Sequence, residues 1–400
     1  MVKWLEKTLG EVTAFIAKGI PPKYTEEENE NTIRVLNQKC NRNFEISYNE
    51  SRIHDCEKKK VPVDKMLRAG DVLINSTGTG TAGRVAQMVE VTVPTTIDGH
   101  MILIRPSEEL DPIYYGYAVK SFQSQIEELA EGSTGQTEIN RRRLQDEVII
   151  RYPSDKLVQK NIGSFLANID EKIKTNKEIN KNLEQQAQAY FDEFFVVNAD
   201  PNWSECTLSD IGSVVAGGTP SKSKPEYYAD QGIAWITPKD LSVNKSKFIS
   251  HGENDISELG FSKSSAAKMP AGTILFSSRA PIGYIAIAQN EVTTNQGFKS
   301  VIPNENIGTA YLYFLLKNLL PTIEGMASGS TFKEISGSAM KSVPTVMPDA
   351  DTIQLFSSFC EPVFKEQEIL EAENQRLSAL RDSLLPKLMS GELDVSDIDF

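Results

Sequence analysis

A glycine-rich segment is the first candidate for chemistry in this sequence. Residues 78–83 satisfy the pattern G-x-G-x-x-G after a strand-like segment, and Asp98 follows. In a dinucleotide-binding site the last glycine opens a helix whose N-terminus holds the pyrophosphate. Residues 84–94 are instead rich in β-branched side chains and end in proline, and the second half of the chain keeps only Gly283 of the pattern. We therefore interpret the segment as a glycine-rich loop between strands.

Other catalytic motifs are missing or poorly placed. Asp170 and Lys172 have the acid-x-Lys spacing of nucleases, but they lie inside a helical stretch, and residues 57–59 lack a partner acid after a strand. The sequence contains neither the Asn/Asp-Pro-Pro-aromatic tetrapeptide of base methyltransferases nor the phosphate-binding loop of ATPases. Its three histidines are far apart and its four cysteines have no CxxC spacing. We expect no catalytic site, cofactor or metal on this chain.

Composition indicates a globular chain and leaves nucleic acid open as a ligand. Of the 400 residues, 40% are hydrophobic and 24% charged, which is ordinary for soluble domains. No apolar run approaches the roughly 20 residues of a membrane span, so we expect no membrane association. The four scattered cysteines favour a reducing, cytoplasmic location. The net charge is −13, but residues 350–400 contribute 4 − 11 = −7 of it. The rest is nearly neutral and can still present a basic face.

The chain contains an internal repeat with an offset of about 200 residues. Residues 69–73 (AGDVL) match 271–275 (AGTIL), and 132–134 (GST) match 329–331 (GST). Each copy predicts a mainly β domain with one further helix. The predicted strands are 71–75, 102–105 and 148–151 in the first copy and 274–276, 284–288 and 343–346 in the second, and the predicted helices are 112–129 and 308–325.

A long helix is predicted after each domain. Apolar residues recur in steps of three, four and seven, as in a coiled-coil seam, and about forty residues would form a rod of about 60 Å. The predicted seam comprises Ile162, Leu166, Ile169, Ile173, Asn176, Asn180, Leu183, Phe356, Val363, Leu370, Leu377 and Leu384. The two asparagines are expected to fix the register. Pro362 should bend the second helix or delay its start.

Basic, aromatic and hydroxyl side chains recur in three loops at matching positions of the two copies. Alone, such a loop is usually solvated surface, but arginine, lysine and glutamine also suit phosphates and base edges. The candidate DNA-binding residues are Lys18, Lys23, Tyr24, Thr77, Arg84, Thr134, Gln136, Arg141, Arg142, Lys222, Lys224, Arg279, Tyr284, Thr331 and Lys333.

The chain resembles the DNA-specificity subunits of type I restriction–modification systems. The resemblance rests on the closing segment 384–393 (LLPKLMSGEL), on Gln159, Ile162, Leu166 and Asp170 at their spacing, and on the repeated signatures above. It implies an α+β fold with two duplicated target-recognition domains, each followed by a long helix, and an antiparallel intramolecular coiled coil. The implied divisions are 1–154 and 196–349 for the domains, 155–195 and 350–391 for the spacer helices, and 392–400 for an acidic tail.

The resemblance also implies function and partners. A specificity subunit has no catalysis of its own. It reads double-stranded DNA and positions two methyltransferase subunits and two restriction/translocase subunits, on which S-adenosylmethionine, ATP and Mg would be bound. Because the two domains have diverged, the expected target is an asymmetric sequence in two parts. The alternative is a coiled-coil adaptor whose β-rich domains bind protein partners.

Overall fold

Short strands and small helices build the first half of the chain, and one long helix follows them. The computed structural model describes residues 2–132, 137–329 and 333–393. The strands are β1 (Trp4–Thr8), β2 (Thr13–Lys18), β3 (Tyr24–Thr25), β4 (Thr32–Leu36), β5 (Asn41–Arg42), β6 (Glu45–Ile46), β7 (Arg52–Asp55), β8 (Val72–Asn75), β9 (Val85–Gln87), β10 (Thr95–Ile97), β11 (Met101–Pro106), β12 (Ala130–Glu131), β13 (Glu138–Ile139) and β14 (Ile149–Pro153). The helices are α1 (Pro112–Ser121), α2 (Gln123–Glu128), α3 (Arg141–Glu147) and α4 (Lys156–Asp192).

The second half repeats this plan. Its strands are β15 (Ser204–Thr207), β16 (Gly212–Ala216), β17 (Tyr228–Ala229), β18 (Ile233–Ile236), β19 (Phe248–Ile249), β20 (Asn254–Ile256), β21 (Ile274–Ser278), β22 (Ile282–Ala288), β23 (Thr293–Thr294), β24 (Lys299–Pro303) and β25 (Pro344–Met347). Its helices are α5 (Leu208–Ile211), α6 (Pro238–Val243), α7 (Glu258–Ser262), α8 (Thr309–Asn318), α9 (Leu320–Met326), α10 (Gly337–Lys341) and α11 (Ala350–Ser390). The fold is α+β, with a long helix after each domain.

The main sheets of the two halves have the same strand order, except that the second half adds one edge strand, β19. The first half contains the orders β2-β11-β8-β9 and β10-β4-β7-β3 and the pair β1-β14. The second half contains β16-β24-β21-β22-β19, β23-β18-β20-β17 and the pair β15-β25. Even the parallel pairs β10·β4 and β23·β18 correspond. The repeat seen in the sequence is therefore a repeat of topology.

Each predicted helix of the globular domains is two helices in the structure. Helix 112–129 is α1 and α2, with a break at Phe122, and helix 308–325 is α8 and α9, with a break at Leu319. In the second copy the cause is Pro321, which lies in the first turn of α9, where its missing N–H costs nothing, but could not continue α8. Asp111 starts α1 by accepting the N–H groups of Ile113 and Tyr114, each at 3.0 Å.

Contacts divide the described residues into two compact units. The first unit comprises the residues up to Ile173 and those from Arg376 onward, and the second comprises Lys174–Gln375. In the first unit, Ile162 and Leu166 of α4 share a core with Leu385 and Leu388 of α11 and with the face of the first sheet. In the second unit, Phe191 of α4 shares a core with Phe356 of α11 and with α8.

The two long helices run antiparallel within the second unit. Asn176 donates to Glu373 at 2.7 Å and to Asn374 at 3.0 Å. Further along α4, the carbonyl oxygen of Asn180 accepts from Gln367 at 3.1 Å. Because contacts later in α4 fall earlier in α11, the directions oppose. The polar stretch of the predicted seam thus meets polar partners, although all the seam residues predicted in α11 are apolar.

The predicted seam residues differ in burial. Those buried are Ile162, Leu166, Ile169, Ile173, Asn176, Phe356 and Leu370, and those half-buried are Asn180, Leu183, Val363, Leu377 and Leu384. In α11 the buried track also passes through Cys360, Phe364 and Gln367. A strict seven-residue repeat misses this track because α11 packs on a globular domain as well as on α4, which requires a wider buried stripe.

The ends of the long helices differ from the predicted ones by a few residues. Helix α4 ends at Asp192 and gives way to a wider turn at Glu193–Val197. Helix α11 begins at Ala350, after Asp349 caps the N–H of Thr352 at 2.8 Å. The expectation that Pro362 delays the start is therefore wrong. Pro362 and Ser358, whose carbonyl loses its helical donor, are both exposed, so water can replace that bond. Residues 394–400 of the predicted tail lie outside the described residues.

A buried ionic network joins α4 to the second domain within the second unit. The Glu184 carboxylate pairs with Lys247, and with Lys317 at 2.6 Å, and Lys247 donates to Gln367 at 2.6 Å. The Lys247 side chain is only 5% exposed. Burial lowers the pKa of Lys247, whereas the two ammonium groups, against the opposing effect of burial, hold the pKa of Glu184 below its ordinary value. Glu184 of α4 thus supplies the carboxylate that pairs with two lysines of the second domain.

Candidate nucleic-acid interface

In the first domain, several candidate residues surround the backbone bridge between Thr77 and Glu138. We call this bridge, and its counterpart in the second domain, a loop foot. The backbone of Glu138 pairs with that of Thr77 in an isolated antiparallel bridge, and Ile139 donates its N–H to the Ser76 carbonyl at 2.7 Å. The Glu138 carboxylate forms an ion pair with Lys18. Lys18, Glu138 and Ile139 line a surface depression of about 380 Å³ together with Glu131, Asn140 and Arg141. The fold therefore brings candidates from three separate segments to one place.

The environments of Lys18 and Thr77 differ. Partial burial and the neighbouring Arg141 guanidinium lower the pKa of Lys18. The Thr77 hydroxyl is engaged within the domain, with His100 Nδ1 at 2.8 Å and Gln38 Oε1 at 3.3 Å. Thr77 therefore presents no unoccupied hydroxyl donor at this point.

The glycine-rich loop that suggested a nucleotide site is a turn between β8 and β9. Gly78, Gly80 and Gly83 have φ of 112°, 70° and 89°, so the pattern reflects left-handed backbone geometry. The Arg84 side chain folds back on this loop and donates to the Gly80 carbonyl at 2.9 Å. No helix follows, so the second element of a dinucleotide site is missing here.

The second domain builds the same foot with different side chains. The backbone of Arg279 pairs with that of Glu334, and Ile335 donates its N–H to the Ser278 carbonyl at 3.1 Å. The Glu334 carboxylate lies 3.4 Å from the Arg279 guanidinium and 3.7 Å from Lys299 Nζ. Arg279 thus occupies the position of Thr77, and Glu334 that of Glu138.

The lysine that pairs with this glutamate comes from a different strand in each domain. Lys18 lies on β2, opposite Ile102 of β11. In the second domain the equivalent pair is Ala216 of β16 and Lys299 of β24. The lysine has therefore changed strands within one cross-strand pair, while its partner remains a glutamate. Sequence comparison misses Lys299 because the match becomes visible only when the strand register is known.

A second candidate group lies on the small sheet of the first domain. Lys23 is exposed, and its N–H donates to the buried His54 Nδ1 at 2.8 Å. The other ring nitrogen of His54 lies 2.7 Å from the Lys59 carbonyl oxygen, so the imidazole joins two lysine-bearing segments. The Arg52 guanidinium stacks on Tyr24, 3.3 Å from the ring centroid. Neither Arg52 nor His54 was a candidate, and only their alternation in β7 could have indicated them.

The remaining candidates take no part in the two backbone bridges. Arg142 is exposed on α3 and lies 3.7 Å from Asp146. Lys222 and Lys224 are exposed in the turn before β17, and Lys333 is exposed beside Glu334. The Tyr284 ring is covered by Lys245, whose Nζ lies 4.3 Å from its centroid. Three candidates lie outside the described residues, namely Thr134, Gln136 and Thr331.

Two further kinds of site were searched for in the described residues. In those parts of the chain, no group of three or more His, Cys, Asp or Glu side chains could hold a metal ion. Nor is any helix there long and apolar enough to cross a membrane.

Comparison with known proteins gives consistent matches. A family model described as the type I restriction modification DNA specificity domain matches residues 1–185 and again residues 201–379. The chain is 40% identical over 190 residues to the type I restriction enzyme MjaIX specificity subunit of Methanocaldococcus jannaschii, covering 45% of this chain and 44% of that protein. It is 30% identical over 194 residues to the HindI specificity subunit of Haemophilus influenzae, covering 48% and 42%. The matched segment thus spans less than half of each relative.

A solved structure has the same fold. The crystal structure of the type I restriction–modification S subunit from M. genitalium aligns with a TM-score of 0.62 and 19% identity, over 97% of this chain and 96% of that one.

Proposed function

Because the chain belongs to the type I restriction modification DNA specificity family, we propose that it reads an asymmetric DNA sequence in two parts, with one domain on each half-site. It is a non-catalytic specificity subunit. The observation that carries the proposal is the pair of loop feet. They share one backbone arrangement but present Thr77 in one domain and Arg279 in the other. Equivalent surfaces with different side chains suit the reading of two different half-sites.

The partners we propose are double-stranded DNA, two methyltransferase subunits and two restriction/translocase subunits. Helices α4 and α11 are the proposed docking platform for these subunits, since they are long and each leaves much of its surface exposed. S-adenosylmethionine, ATP and Mg would then be bound by the partner subunits.

Salt-dependent DNA binding tests this proposal. The purified chain, alone and with its methyltransferase partner, is titrated with mixed-sequence duplex DNA at several salt concentrations. We expect weak binding by the chain alone, because its net charge is −13, and strong binding by the complex that weakens steeply with salt as counterions are released. No binding by either sample would contradict a DNA-reading role and would favour a protein-binding adaptor.

A further inference from the structure

The foot of the loop is the point at which the two domains can be compared residue by residue. Thr77 and Arg279 each form an antiparallel backbone bridge with the glutamate that follows the loop, Glu138 and Glu334. In both domains the next residue donates its N–H to the serine carbonyl before the threonine or arginine. Thr77 and Arg279 therefore occupy equivalent backbone positions in the two domains, so their side chains can be treated as alternatives at one site.

The lysine–glutamate pair recurs although its lysine does not keep its place. Lys18 lies on one strand and Lys299 on the opposing strand of the equivalent pair, yet each is paired with the glutamate of its loop. The same ion pair is thus formed with a lysine from either strand. This indicates that each domain requires the carboxylate of Glu138 or Glu334 to be held in place. Lys299 is only 11% exposed at its side chain, so it acts through Glu334 rather than by reaching a ligand itself.

Arg279 is well suited to a bidentate contact. Its guanidinium is 3.4 Å from Glu334, and its side chain is 37% exposed, so one edge is held while donors remain available. It is also the single arginine in the sequence between residues 196 and 349. The planar fork of arginine pairs with O6 and N7 of guanine in the major groove, a geometry that lysine does not reproduce in the same fixed form. In the first domain this position is Thr77, whose hydroxyl is engaged by His100 and Gln38.

Resting on the function proposed above, we propose that Arg279 reads a guanine in the half-site of the second domain, with Glu334 and Lys299 as positioning residues. Glu334 fixes the orientation of the guanidinium, and Lys299 fixes Glu334. The first domain has the same ion pair but carries Thr77 where the second domain carries Arg279, so it reads no guanine from this position.

The test is methylome sequencing of a host that carries the complete complex with Glu334→Gln or Lys299→Met. Glu334→Gln keeps the side-chain size and removes the charge that orients Arg279. The preference for guanine at one position of one half-site should fall about 10-fold, within the range of a single bidentate contact. Every position of the other half-site should be unchanged. Lys299→Met should relax the same position, because it frees Glu334.

Glu138→Gln is the matched control, because it makes the same change in the first domain. It should leave that guanine preference as it is. In a gain-of-contact variant, Thr77→Arg places an arginine beside Glu138, and a new guanine preference should appear in the half-site of the first domain.

The readouts distinguish positioning from stability. If Glu334→Gln lowers methylation and the melting temperature while every base preference is unchanged, the inference is overturned, since Glu334 would then only stabilise the loop. If the unaltered complex yields a motif but no guanine responds to Arg279→Lys, the inference also fails and the proposed function stands. If no motif depends on the chain at all, the proposed function itself fails.

Discussion

Replacing Glu184 by alanine is expected to lower the free energy of unfolding of the second unit by about 3–5 kcal/mol, the usual cost of leaving a buried charge unpaired. The charge left behind is Lys247, whose side chain is 5% exposed and whose remaining side-chain hydrogen bond is to the neutral Gln367. Because the folded-state pKa of Glu184 is lowered, its contribution is present at neutral pH. It is lost as the pH falls below the ordinary range of a glutamate.

Hydrogen exchange of the full chain measures this effect locally. The amides of Lys247 and Phe248, at the start of β19, should exchange faster in Glu184→Ala, because they donate to Glu371 at 2.8 and 3.1 Å within the same network. Glu178→Ala is the matched control. Glu178 is exposed on the same helix, and its loss should change stability by no more than about 0.5 kcal/mol. Equal effects of the two variants would show that the network does not stabilise the unit.

Removing both charges tests the physical reason. Glu184→Leu with Lys247→Met removes the buried ion pair as a whole, while Glu371 keeps the backbone N–H groups of Lys247 and Phe248, so part of the lost stability should return. If the double variant is as unstable as Glu184→Ala, the loss comes from packing rather than from the unpaired ammonium group.

Replacing Arg279 by alanine is expected to weaken discrimination in one half-site only, by about 10- to 100-fold at the affected position. The reason is that each domain has its own loop foot, and the contacts of Arg279 to Glu334 lie within the second domain. Methylome sequencing gives the base frequencies in both half-sites from a single experiment.

Lys263→Ala is the control for Arg279→Ala, because Lys263 is an exposed cation of the same domain, at the end of α7. It should leave all base frequencies unchanged. Equal loss of discrimination in both half-sites after Arg279→Ala would argue against domains that read independently.

Much of the fold could be predicted from the sequence, because it depends on patterns that are local in the chain. Strand 102–105 lies within β11, and the apolar steps through Ile162 and Leu166 indicated the buried face of α4. The breaks at Phe122 and Leu319 were missed, since helical periodicity continues across a short interruption. Pro362 was overinterpreted, because an exposed proline loses one hydrogen bond that water can replace.

The candidate site was less predictable, because it depends on contacts between distant segments. Thr77, Lys18 and Arg141 were all candidates, but only the fold shows that they surround Glu138. Lys299 could not be found from the sequence, since its equivalence to Lys18 requires knowing which strand residues face each other. Glu184 was likewise missed, because its ammonium partners are 63 and 133 residues away along the chain.

The most direct test of the central claim is a comparison of methylated DNA motifs in the host with and without this chain. The account predicts that one asymmetric motif in two parts is methylated when the chain is present and is unmethylated when the chain is removed, with the partner subunits still expressed. Reintroducing the chain should restore the same motif. An unchanged methylome after removal would contradict the claim that this chain selects the DNA sequence.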